Sequence, residues 1–154
     1  MHNDRADPTT LQVAGVDDGG AGSDLIGVAV FVALTGSVVG AISEFLPTLA
    51  HGSFHLFGWK SYLVDVGNGL SYLQADVATA VAALWLALTH KHRAFAAGLL
   101  IFLGSKYVLT CVGTLLAVWG SHLVPGPGAW LGLISSSLVL AGGLIGLVGT
   151  RPTS

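Results

Sequence analysis

The chain has 154 residues, 53% of them hydrophobic and only 9% charged, with a formal net charge of −2. A soluble domain carries about 25% charged residues, and one this short lacks the interior volume to hide so much apolar surface. The composition excludes an ordinary soluble domain, and the acidic balance without a basic patch excludes nucleic acid as a partner. An all-α integral membrane protein remains, with the lipid bilayer as its first partner.

Residues 1–23 form a polar tail holding Asp4, Asp7, Asp17 and Asp18 and ending in Gly19-Gly-Ala-Gly-Ser23. It has too little apolar surface to offset the entropy of ordering and is expected to be disordered. From Asp24, a suitable N-cap, the next nineteen or so residues are uncharged, close to the roughly twenty that cross a bilayer. Four spans are expected, at about 25–46, 70–89, 94–119 and 128–150, making a transmembrane domain over 24–150 and leaving 151–154 as a C-terminal tail. Short turns join the last three, so the fold class expected is a compact up-down bundle of four transmembrane helices.

The connection 48–69 interleaves His51, His55, Lys60 and Asp65 with Phe54, Phe57, Trp59 and Tyr62. It is too broken by glycine to span and too apolar for a solvated loop. An interfacial segment lying on the extracytoplasmic surface, in sharper form a lid over the bundle, fits this mixture. With both termini in the cytoplasm, that side receives Arg5, Lys91, Arg93 and Arg151 and the outer side only Lys60, as the positive-inside tendency requires. The expected location is the cell membrane, multi-pass, N-in and C-in.

Glycine, 22 residues in all, falls largely inside the apolar runs. Gly36 and Gly40 form a small-xxx-small element on the first span. Gly132, Gly142 and Gly146, with Gly128, Ser135 and Gly149, fall near one face of the fourth. Such faces let helix backbones approach closely. They serve either a homo-oligomer or membrane partner protein, or packing within one bundle, and the second reading is preferred.

Three charged residues lie where charge is expensive, at about 2.5–3.5 kcal/mol each on insertion scales. Lys106 stands about 18 Å along the third span, Asp76 about 9 Å into the second from the opposite edge, and Glu44 at the outer end of the first. Depths and adjacency predict an Asp76–Lys106 ion pair with Glu44 as a nearer-surface acid and a candidate proton or ion site. Tyr107, Thr110, Cys111 and Thr114 supply polar groups nearby, although hydroxyls of this kind often bond their own helix carbonyls. Cys111 is the single cysteine and forms no intramolecular disulfide.

His51 and His55 stand four apart, a spacing that would put two metal ligands on one helical face, with Glu44 or Asp65 as a third. Gly52 interrupts them, and interfacial polar residues are the preferred reading. No metal site, cofactor or catalytic motif is expected: phosphate-cradling loops, Gly-x-Ser-x-Gly elbows and Cys-x-x-Cys pairs are missing. The function expected from these features is a small polytopic membrane protein acting as a structural or accessory component. The alternative is a proton- or ion-coupled transporter of a small solute that uses Glu44, Asp76 and Lys106.

Overall fold

Helices account for most of the chain in the computed structural model, which describes residues 19–51, 54–57, 72–119 and 121–151. The order is α1 (Gly19–Glu44), β1 (Pro47–His51), β2 (Phe54–Phe57), α2 (Tyr72–Leu88), α3 (Arg93–Val118), β3 (Val124–Pro125) and α4 (Pro127–Gly149). Three helices are long and apolar enough to cross a membrane: α1 over Gly22–Glu44, α3 and α4. The second expected span, 70–89, is a shorter helix. At 17 residues α2 measures about 25 Å, less than the roughly 30 Å of a hydrocarbon core. Residues 58–71, which lead into it and complete the expected interfacial segment, lie outside the described residues.

The helix ends follow from local chemistry. Pro127 sits in the first turn of α4, where its missing N–H costs no intrahelical hydrogen bond. The Trp119 N–H closes the end of α3 onto the Leu116 carbonyl. Helix α1 begins at Gly19 and so takes up the last residues of the stretch expected to be disordered; residues 1–18 lie outside the described residues. Asp24 is thus inside the helix and not its N-cap.

Each helix packs against its neighbours in sequence, and α4 closes the ring against α1. The α1–α4 seam shows why the glycines are placed as they are. Going up α1 at every seventh residue and down α4 at the same interval, Gly22 meets Gly149, Ala29 meets Gly142, Gly36 meets Ser135 and Ser43 meets Gly128. A Cβ at Gly142 would stand 2.8 Å from the Ala29 carbonyl oxygen and 2.9 Å from the Ala33 nitrogen, and one at Gly36 2.9 Å from the Ser135 carbonyl oxygen. Only glycine lets the two backbones come this close. Gly146 faces Leu86, and Gly132 faces Cys111 and Ser43. These glycines make their close approaches inside one chain.

Side-chain size is distributed inside out. The buried cluster is Ala29, Ala33, Ala82, Ala83, Ala96 and Ala97 with Ile26, Leu86, Leu100 and Val139. Large apolar side chains such as Phe31 and Leu109, each 72% exposed, point outward. A surface like this suits lipid, which solvates Phe and Leu as well as a core does.

The expected helical class holds, with one addition. A small three-stranded sheet, in the order β2-β1-β3, covers the end of the bundle where α1 stops and α4 starts. β1 pairs antiparallel with β2, with an irregularity between Pro47 and Leu49, and with β3 through Leu49–Pro125 and Ala50–Val124. The Gly126 N–H donates to the Thr48 carbonyl at 2.9 Å, tying the start of α4 to the sheet. Pairing satisfies backbone groups that an unpaired loop on an apolar bundle would leave open. The first part of the expected lid is thus a sheet that caps the helices.

Candidate functional site

Between the sheet end and the middle of the bundle, the four helices separate around a small cavity that polar side chains from each of them line in part. α1 contributes Gly40, Ser43 and Glu44; α2 contributes Asp76 and Thr79; α3 contributes Tyr107 and Cys111; α4 contributes Ser135 and Ser136. A second pocket sharing Ser43, Glu44, Cys111 and Gly132 extends toward Thr48 on β1 and Thr114 on α3.

Helical spacing brings these side chains together. On α2, Asp76 and Thr79 are followed by Ala83 and Leu86, so the face that carries the acid at one end carries apolar core at the other. On α3, Gly104, Tyr107 and Cys111 lie three and four residues apart, a single stripe facing inward. Gly40 makes room for the acid, since a Cβ there would run into the Asp76 carboxyl and the Ser135 hydroxyl. The Ser37 hydroxyl donates to the Asp76 main-chain carbonyl at 2.6 Å and fixes α1 against the start of α2.

Glu44 is only 6% exposed, and its Oε2 is buried without a hydrogen-bond partner among the described residues. Span length alone sets it close to the outer boundary; it is buried there and shares a pocket with Thr48 of β1. Glu44 and Asp76 lie within electrostatic range of each other, and both act on Tyr107. Cys111 and Ser136 both line this space. Two carboxyls in one low-dielectric space repel when both are ionised, so the pair favours retaining a proton or taking up a positive charge.

Lys106 is elsewhere. It is exposed on the outer face of α3, with its ammonium 5.7 Å from the Tyr107 ring centroid, and it does not line the cavity. The Asp76–Lys106 ion pair expected from depth is not formed among the described residues. At about 100° per residue, Lys106 lies about 200° around the helix from Gly104, on the side away from α4. Similar depth does not mean a shared face. Asp76 and Glu44 are brought together instead.

The histidines change their setting as well. His51 lies on β1 and His55 on β2, at adjacent rungs where His51 opposes Phe54 and His55 opposes Ala50. They do not share a helical face, and among the described residues no three His, Cys, Asp or Glu converge as a metal site. Thr110 and Thr114 hydroxyls donate to the Lys106 and Thr110 carbonyls of their own helix, each at 2.9 Å. Thr79, Ser43 and Ser136 are cavity residues that sequence reasoning does not single out. The signal available is the three-residue spacing of Thr79 from Asp76; Ser43 and Ser136 adjoin Glu44 and Ser135 in the chain and carry no phase signal with them.

Neither known protein families, curated proteins nor solved structures yield a match to this chain. The functional reading therefore rests on the cavity.

Proposed function

We propose that this chain is a membrane carrier that couples movement of a small solute to protons or ions, with Glu44 and Asp76 as the exchanging groups. The observation that supports it is the meeting of two acids from different helices in one cavity, with no basic side chain in its lining among the described residues. Intramembrane carboxyls facing a cavity are the usual means by which a membrane protein picks up and releases a proton. Lys106, part of the expected set, has no direct part in this reading. In the membrane, α1, α3 and α4 cross and α2 makes a shorter fourth crossing; both termini lie on the cytoplasmic side with Lys91, Arg93 and Arg151.

A structural or accessory role is the reading that composition alone favours. It draws on the small-residue faces of the first and last spans, and those faces meet each other within one chain. Two acids turned into an internal cavity are left without a purpose under that role.

The test is proton movement in liposomes containing the purified full chain and a pH-sensitive dye, with inward gradients of candidate solutes. Asp76→Asn is expected to lower coupled flux at least tenfold while the protein keeps its helical content and a single elution peak. Flux unchanged in Asp76→Asn and also in Glu44→Gln would remove both acids from the mechanism and overturn the reading.

A further inference from the structure

The hydroxyls around the two acids are not interchangeable donors and acceptors. The Ser43 hydroxyl donates to the Gly40 carbonyl at 2.7 Å, and Ser135 donates to the Gly36 carbonyl at 2.8 Å. Ser136 donates to the Gly132 and Leu133 carbonyls at 2.8 and 3.0 Å. A serine hydroxyl has one proton and two acceptor lone pairs. With each proton committed to a helix carbonyl, the three oxygens can only accept. Together with the two carboxyls, they set acceptors around one part of a wall that also holds the Thr79 and Tyr107 hydroxyls and apolar surface. The buried Oε2 of Glu44, without a partner among the described residues, belongs to that wall.

We infer that this cavity is a binding site for a small monovalent cation, an alkali-metal ion or ammonium, held by Glu44, Asp76, Ser43 and Ser135. The inference rests on the proposed exchange role of the two acids and names the solute class. Hard oxygen donors select hard cations; the soft or borderline transition metals prefer thiolate and imidazole. A single positive charge matches the site in its simplest exchange: one carboxyl loses its proton as one cation enters, and the net charge of the cavity does not change. A cation carrying two charges needs both carboxyls ionised and side by side. A bulky organic cation needs aromatic walls, and among the described residues Tyr107 is the one aromatic lining the main cavity. The titratable groups facing the site are Glu44 from α1, Asp76 from α2, and Tyr107 and Cys111 from α3; α4 and the Thr48 end of the sheet contribute uncharged groups.

The chain carries its own reporter, because its single cysteine lies in the cavity wall. The experiment measures alkylation of Cys111 by a small neutral maleimide in full-length protein in nanodiscs. It uses sodium, lithium, potassium or ammonium chloride against choline chloride at equal ionic strength, at two pH values on either side of neutral. One or more of the small cations is expected to slow labelling by about tenfold at ten times its Kd, and choline is not. Protection should strengthen at the higher pH, where protons compete less. Within Glu44→Gln the rates in the small cations should equal that variant's own rate in choline, and Lys106→Met should leave protection intact. Equal rates in all five salts, or protection that survives both Glu44→Gln and Asp76→Asn, would overturn the inference. With magnesium chloride added as a further arm, protection by magnesium and by none of the monovalent cations would overturn the monovalent assignment. Cation protection without liposome flux would leave this site standing and sink the carrier reading, and flux without protection would do the reverse.

Discussion

The two halves of the helix bundle share one seam and differ in almost everything else. Through both, α1 and α4 meet at small residues seven apart, from Gly22 opposite Gly149 to Ser43 opposite Gly128. In the half near the start of α1, the remaining two helices fill the space with Ala82, Ala83, Leu86, Ala96, Ala97 and Leu100, and the interior is closed. Toward the sheet, the same helices present Asp76, Thr79, Tyr107 and Cys111, and the interior opens into the cavity. A rigid, close-packed seam thus holds both halves in register, while α2 and α3 decide whether a given level is core or site. Such a division lets acids stand at a fixed separation without the bundle depending on them for stability.

If the seam is the scaffold for both halves, breaking it should have the largest effect. Gly142→Val would drive a branched side chain into the main chain of α1 at Ala29 and Ala33, neither of which can move without the helix. The expected loss is about 3 kcal/mol, the upper end for overpacking, with release of cavity geometry as a secondary effect. Gly113→Ala is the matched control on α3, where an added Cβ meets nothing within 4 Å. It should be neutral or stabilising by about 0.5–1 kcal/mol, because alanine is the better helix former. Denaturation in mixed micelles compares the two; equal effects would mean that the seam is not the scaffold.

Within the closed half, Leu86 has no exposed surface and is one of the two largest fully buried side chains among the described residues. Leu86→Ala should destabilise by about 2 kcal/mol, at the low end of the range for such changes. In lipid the transfer part of that range is small, and the lost packing remains. Thermal unfolding reads the loss, and Cys111 labelling at low temperature should not change, since the cavity lies in the other half. A rise in labelling would show that the two halves are not separable.

The sequence is informative about this division wherever helical phase and length alone decide structure. The long spans at α1, α3 and α4 follow from runs of apolar residues, and the glycine face of α4 does meet another helix. Depth along a span carries no angular information, which is why depth alone does not decide the partner of Asp76. Counting around α3 from Gly104, which the structure sets against Leu140 of α4, turns Lys106 outward. The sheet is out of reach for a different reason. β1 pairs with Val124 and Pro125, far away in the chain, and β3 is too short to show alternation. Glu44, expected near an open boundary, is buried beside the start of that sheet.

Lys106 sets the smallest and most pointed prediction. Had it paired with Asp76, removing it would strand a buried carboxylate, a loss of about 3–5 kcal/mol for a broken buried ion pair. On the outer face of α3 its ammonium stands 5.7 Å from the Tyr107 ring centroid, a contact of about 0.5–1 kcal/mol at an exposed site. Against that stands the cost of holding an ammonium beside lipid, which its flexible stem reduces by reaching toward the headgroups. The two contributions oppose each other, so Lys106→Met should change stability by less than about 1 kcal/mol in either direction. Flux and Cys111 protection should stay within the scatter of the unaltered protein. A stability loss of the size expected for a stranded acid would mean that the lysine reaches inward in the membrane, and the cavity would then hold its own counter-charge and have no need of a cation.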